Sequence, residues 1–173
     1  MNCQGAPASC EAGVYYMGKC PCTCIDVWRA TAGKFSAYIR KTIALAKNRG
    51  VKLNAYVDDI NTFVTHEQYD IIYSTGTVQY LFDENKIEFF KKLEKITKPN
   101  GIVYINVFVE KSFLELPPDW DREEKMWKPG ELFTYLADWK FERIDEVIFE
   151  DQSGGVPHYH CMDTIICRKQ SNF

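Results

Sequence analysis

Apolar residues recur along this chain at two different periods, and the alternation between the periods outlines its elements. "CTCIDV" (Cys22 to Val27) reads as a short buried strand. "GKFSAYIRKTIALAKNRG" (Gly33 to Gly50) carries Phe35, Tyr38, Ile39, Ile43 and Ala46 at helical spacing and stops at Gly50. Leu53 to Val57 within "VKLNAYVDDIN" is the next strand, and it ends in two acids. "YDIIYS" has strand length and composition, and gives out into the small residues Ser74, Thr75 and Gly76. In "ENKIEFFKKLEKITKPNG" the positions Ile87, Phe90, Leu93 and Ile96 mark one helix face. The lysines of "KKLEK" fall on its outer side, and Pro99-Asn100-Gly101 is the expected stop. "IVYINVFV" is the longest apolar run and reads as a strand buried on both faces.

Strand, helix, strand, strand, helix, strand is the order of an α/β domain with a mostly parallel sheet. The last third differs. "KPGELFTYLADW" predicts a helix with Pro129 in its first turn. "KFERIDEVIFE" and "HYHCMDTIICRK" flank the turn-rich "DQSGGVP", which predicts a C-terminal antiparallel hairpin. With no internal repeat or linker, residues 1–173 are expected to form a single domain.

Composition narrows the function classes. A formal charge of -3 offers no basic field for a nucleic-acid backbone, so no nucleic-acid partner is expected. No apolar run approaches the roughly 20 residues that span a bilayer, and "MNCQGAPASC" lacks the pattern of a secretory signal. The expectation is a cytoplasmic protein that does not meet a membrane.

Cysteine spacing adds one further candidate. Cys20, Cys22 and Cys24 form "CPCTC", which lacks the C-x-x-C pair of a zinc site; packed free thiols are the plainer reading. "HYHC" sets His158 and His160 on one strand face with Cys161 opposite. Two histidines at this spacing bind a metal only if a third ligand converges; they also suit a substrate pocket, or an ordinary late strand. No metal site is expected, and a Cys/His binder using Cys20, Cys22, Cys24, His158 and His160 stands as an alternative function.

The strand ends carry the chemistry. In an open α/β sheet, ligands sit beyond the carboxyl ends of the strands. Asp26 closes one strand, Asp58 and Asp59 the next, and Ser74-Thr75-Gly76 the one after. A first acid suits a ribose diol, a second an exocyclic amine of adenine, and small residues leave room for the ligand. A solvated acid is the plain alternative at any one of these positions, but their order matters.

From about Cys22 to Lys169 the chain resembles class I S-adenosylmethionine-dependent methyltransferases, and most closely the tellurite-resistance group. The residues that carry the likeness are "TCIDV", "VKLNAYVDDIN", "YDIIYSTGTVQYL", "ITKPNGIVYINVFVEK" and "MWKPGELFTYLADWKFERIDEVIFE". The resemblance implies a Rossmann-like sheet of seven strands with the last inserted antiparallel, and S-adenosylmethionine as cofactor. It implies methyl transfer to a small-molecule acceptor, with tellurite or another metalloid oxyanion as one candidate. Position by position it puts Asp26 and Val27 at the ribose, Asp59 and Ile60 at the adenine, and Ser74 and Thr75 beside the methionine part. It leaves Tyr80, His158 and His160 to the acceptor pocket and names no catalytic base. "WDREEKMWKPGE" (Trp120 to Glu131) corresponds to a covering flap, or to a solvated connection.

One part departs from the family. Its glycine-rich loop follows the first strand, and counting back from Asp26 puts "GAPAS" there. Gly5 matches, but Pro7 and Ser9 replace glycines, and proline supplies no N–H donor. The first strand is expected to be short or missing, at best "MNCQG", without the usual preceding helix. A fragment, a non-catalytic remnant and a misassigned start all remain open. An uncovered sheet edge would invite a homodimer or another partner.

Overall fold

The computed structural model describes residues 13–17, 22–27, 32–50, 53–117, 125–152 and 155–171. Its strands are β1 (Gly13–Met17), β2 (Cys22–Val27), β3 (Leu53–Asp58), β4 (Tyr69–Thr75), β5 (Thr97–Phe108), β6 (Lys140–Asp151) and β7 (His158–Arg168). The helices are α1 (Ala32–Asn48), α2 (Asp83–Ile96) and the short α3 (Glu131–Thr134). One seven-stranded sheet runs in the order β3-β2-β1-β4-β5-β7-β6. Among the described residues no helix is long and apolar enough to cross a membrane.

The sheet is mixed. β2 pairs parallel with β3, and β4 with β5; the other four neighbouring pairs are antiparallel. Propagating these pairings gives β2, β3, β4, β5 and β6 one direction, and β1 and β7 the other. The mostly parallel sheet therefore holds for strand direction but not for neighbours. The C-terminal hairpin is as expected, with β6 and β7 paired from Lys140–Arg168 to Asp151–His158.

The first strand is short, as expected, but its place in the sequence and its direction differ from the expectation. "MNCQG" and Gly5 lie outside the described residues, and the strand beside β4 is "GVYYM", whose valine and tyrosines suit a pleated surface. Only four residues separate Met17 from Cys22. A parallel crossover needs about a dozen or more residues, so β1 can only run antiparallel to β2. Gly13 then pairs with Thr75 and Met17 with Ile71, which puts the carboxyl end of β1 at the far edge.

Alternation sorts the strand residues onto two faces. One face carries Ile72, Val103, Ile105, Val107, Ile165 and Cys167, all almost completely buried. They join one core with Phe89, Phe90, Leu93 and Ile96 of α2 and with Trp127, Leu132 and Leu136. Phe90 stacks on Tyr135 with ring centres 4.6 Å apart and meets Trp127 edge-on. Burying each such side chain contributes roughly 1.5–3 kcal/mol.

Several local expectations shift. Ile87 is exposed, and Lys86 takes the inward position instead. Lys91 and Lys95 do point outward, but half-buried Lys92 donates to the carbonyl of Phe63. Pro99-Asn100-Gly101 does not end α2, which gives way to β5 at Thr97. These residues form an excursion inside β5, because the pairing passes from Tyr69–Thr97 directly to Ile71–Ile102. Asn100 has φ 62, and a Cβ on Gly101 would meet the Lys98 carbonyl at 2.8 Å. The "KPGELFTYLADW" helix shrinks to one turn, started by Gly130 at φ 76, with Pro129 before it. Trp127, assigned to a flap, is fully buried and bridges to Val109.

Candidate functional site

The carboxyl ends of β2, β3, β4 and β5 share one edge of the sheet. Backbone pairing carries a continuous row from Tyr56 through Ile25, Val14, Ser74 and Ile105 to Ile165. Asp26, paired with Val57, lies one residue beyond this row, as do Thr75 and Asn106. Val27 pairs with Asp58 at the very edge. Asp26 and Asp59 are thus on a common rim, and β1 alone separates β2 from β4, a span of roughly 10 Å.

The turn after β3 is built by its own polar side chains. Asp58 Oδ1 accepts from the Asp59 N–H at 2.8 Å. Asp59 Oδ1 accepts from the Asn61 N–H at 2.9 Å and from Asn61 Nδ2 at 3.1 Å. These are the bonds by which aspartates shape turns. The Asp59 carbonyl also takes the N–H groups of Thr62 and Phe63, so the chain coils back and buries Ile60 and Phe63. Among the described residues, Asp59 Oδ2 accepts no hydrogen bond and the Ile60 N–H donates none. An acceptor and a donor side by side are what the amino edge of an adenine requires.

After β4 the small residues take up structural roles. Gly76, at φ 59, donates its N–H to Asn106 Oδ1 at 3.2 Å, and Thr77 Oγ1 donates to the Thr75 carbonyl. Ser74 is 1% exposed, and its Oγ has no hydrogen-bond partner. A buried hydroxyl left unmatched is uncommon and calls for a physical reason. Tyr73 and Tyr104 stack at 4.5 Å behind it; burial first, and then charge repulsion from the Tyr104 phenol, hold the Tyr73 hydroxyl above its ordinary pKa.

Of the expected acceptor-pocket residues, Tyr80 belongs to the hydrophobic core and lends its carbonyl to Asn61. His158 and His160 come together on the same rim, two strands from β4, and Asp151 joins them. Cys22 and Cys24 do not join these histidines: β1, β4 and β5 lie between β2 and β7, a lateral separation of roughly 19 Å. Cys20 lies outside the described residues. A cleft of about 420 Å³ opens beyond β5, lined by Val109, Lys111, Leu114, Met126 and Cys161. Hydrogen bonding to Glu146 holds Lys111 above its ordinary pKa.

Two residues important to the rim were not anticipated. Asn61 follows "DDI", an aspartate-turn context that could have marked it. Asn106 is the lone amide inside an apolar run, and a polar residue in a buried strand is itself a signal. The reversed β1 also removes the place where a glycine-rich loop would sit after that strand.

The chain is similar to several known proteins. The tellurite resistance protein TehB family profile matches residues 25–154. Malonyl-[acyl-carrier protein] O-methyltransferase 2 of Ilyobacter polytropus is 26% identical over 112 residues, which cover 64% of this chain and 42% of that protein. The solved structure of TehB from Haemophilus influenzae superposes with a TM-score of 0.69 at 21% identity, over 86% of this chain and 49% of that one. A Burkholderia thailandensis 1,6-didemethyltoxoflavin-N1-methyltransferase, solved with S-adenosylhomocysteine, gives 0.54 at 14% identity, over 87% and 72%. The chain spans less than half the length of the Ilyobacter enzyme and about half that of the Haemophilus protein. With its 3-2-1-4-5-7-6 strand order and the profile match over most of its length, the chain belongs to the TehB family, on the class I methyltransferase fold.

Proposed function

We propose that the chain binds S-adenosylmethionine along this rim and serves methyl transfer to a small-molecule acceptor. The observation that carries the reading is an acceptor, Asp59 Oδ2, beside a donor, the Ile60 N–H, neither of them bonded among the described residues, at the end of β3 and on one rim with Asp26 and the buried Ser74 hydroxyl. Asp59 and Ile60 would hold the adenine, Asp26 the ribose, and Ser74 and Thr75 the methionine part. Bound there, the cofactor supplies an activated methyl group. The protein's task is then to position the acceptor and exclude water rather than to provide a nucleophile. The cleft beside Lys111 is the proposed acceptor site, and tellurite or another metalloid oxyanion is the acceptor to try first.

A second reading has its own observation. Because β1 is reversed, its carboxyl end lies at the opposite edge, so the turn that follows it is not at this rim. That favours a remnant of the fold that does not turn over. In that case the edge strand β6, with Phe141, Ile144, Val147 and Ile148 exposed, is where a second copy or partner would pair. Calorimetry with S-adenosylhomocysteine separates the two. Saturable 1:1 heat supports the methyltransferase reading, and none at millimolar ligand leaves the remnant.

A further inference from the structure

We propose that Asp151, His158 and His160 form a binding site for a divalent transition-metal ion of the zinc class. The site follows from hairpin register. Asp151 ends β6 directly opposite His158, the first residue of β7, and His160 lies two residues on along the same face. One ligand atom from each converges, all within 4.8 Å of one another. His158 Nε2 is 2.9 Å from His160 Nε2, and His160 Nε2 is 3.4 Å from Asp151 Oδ2. Ligand atoms around a tetrahedral zinc at about 2.0–2.1 Å stand roughly 3.3 Å apart, so two edges already approximate those of a coordination shell, and the third, within 4.8 Å, closes by side-chain rotation on binding.

The surroundings prepare the site. His158 Nδ1 lies 2.7 Å from the Val156 carbonyl, an acceptor only, so Nδ1 carries the proton and the Nε2 lone pair is left facing His160. A histidine ligand oriented by its other ring nitrogen is the usual outer-shell device of protein metal sites. Gly155, at φ 79, shapes the turn that delivers the Val156 carbonyl. The rings of Phe108 and Phe149 pack against His160 at 4.7 and 5.6 Å, and the imidazole is 6% exposed. Two imidazoles and one carboxylate, with rim access at Asp151, leave a fourth position for water or an oxyanion. Cysteine takes no part, since Cys161 points to the opposite face.

The test uses the whole chain with any affinity tag removed, titrated with zinc against a chromophoric chelator and, in parallel, with cobalt(II). The expected result is one tight site whose affinity falls at least about tenfold in Asp151→Asn and in His158→Gln, with unchanged far-ultraviolet circular dichroism. Both side chains sit at the partly exposed rim, so these variants keep the hairpin. Cobalt should give d–d bands without a thiolate charge-transfer band. Equal affinity in both variants, a thiolate band at the first equivalent, or no competition with the chelator overturns the proposal. None of these readouts depends on S-adenosylmethionine.

Discussion

Asn61 donates through Nδ2 to the carbonyl of Tyr80 at 3.1 Å, and this bond ties the turn after β3 to the segment after β4. Asn61 Oδ1 also accepts from the Phe82 N–H at 2.9 Å and from Asn85 Nδ2 at 3.2 Å, next to the first turn of α2. One amide thereby holds together the two loops of the proposed adenine site. Asn61→Ala leaves several part-buried groups unmatched and should cost about 1–3 kcal/mol in urea unfolding. Asn61→Asp sets a carboxylate oxygen against both Asp59 Oδ1 and the Tyr80 carbonyl, so it should cost at least as much as alanine. Equal stability of all three would remove this staple from the account.

The same rim shows what the sequence could and could not disclose. Ser74-Thr75-Gly76 and Asp58-Asp59 are legible in the sequence as strand ends on one rim, where such residues both shape turns and leave polar groups at the edge. Asp151 escaped notice because it joins the histidines only through hairpin register, which depends on how "DQSGGVP" turns. Ile87 was misplaced because apolar spacing does not anticipate a lysine neutralised by carboxylates in the core. The direction of β1 is legible in principle, since four residues cannot build a crossover, but "GVYYM" is short and the family's glycine-loop spacing points upstream of it.

Lys86 is the buried exception. Burial pulls its pKa down, but Glu131 at 2.8 Å and Asp83 at 2.9 Å outweigh that and hold it above the ordinary lysine value. Its ammonium also lies 4.1 Å from the centre of the Trp127 ring. Glu131→Gln leaves only the exposed Asp83 as a full counter-charge and should destabilise by about 2–4 kcal/mol. Lys86→Met removes the charge with its cost of burial, so it should be the milder change in thermal or urea unfolding. The reverse order would mean that the ion pair itself carries the stability.

Asp163 predicts a pH dependence. Its side chain is fully buried; burial raises its pKa, the Gly130 N–H on Oδ2 opposes this, and Glu146 adds to it. A carboxyl with a higher pKa folded than unfolded binds more protons in the folded state. Its stabilising contribution is full below the unfolded aspartate value and is lost as pH rises through the folded one. Asp163→Asn keeps an acceptor for Gly130, so its stability relative to wild type should improve as pH rises across that window. Parallel unfolding curves at every pH would show that Asp163 titrates alike in both states.

Cys167 should be chemically silent. Burial alone pushes its thiol up to about 12, and Cys161 is also raised, mainly by burial. The thiolate is the reactive form, so at pH 8 both should resist iodoacetamide in the native protein and react on unfolding. Peptide mass spectrometry after timed alkylation reads this directly; early labelling of Cys167 would mean that the β5–β7 core opens.

Asp59→Asn gives the most discriminating test of the adenine assignment. An asparagine oxygen can still accept from Asn61, so the turn after β3 should survive with an unchanged melting temperature. The other carboxylate oxygen, however, becomes an NH2 group, which would set a donor against the donor amine of adenine. Leaving such a pair unmatched costs about 1–3 kcal/mol, so S-adenosylhomocysteine affinity should fall by about tenfold or more. Asp26→Ala should weaken the same ligand through the ribose, and the two losses should add because β2 and β3 contribute separate contacts. Wild-type binding that neither substitution weakens would place the nucleoside away from these strands. No wild-type binding at all would instead point to the reversed β1, whose carboxyl end lies beside Ile71 at the far edge of the sheet.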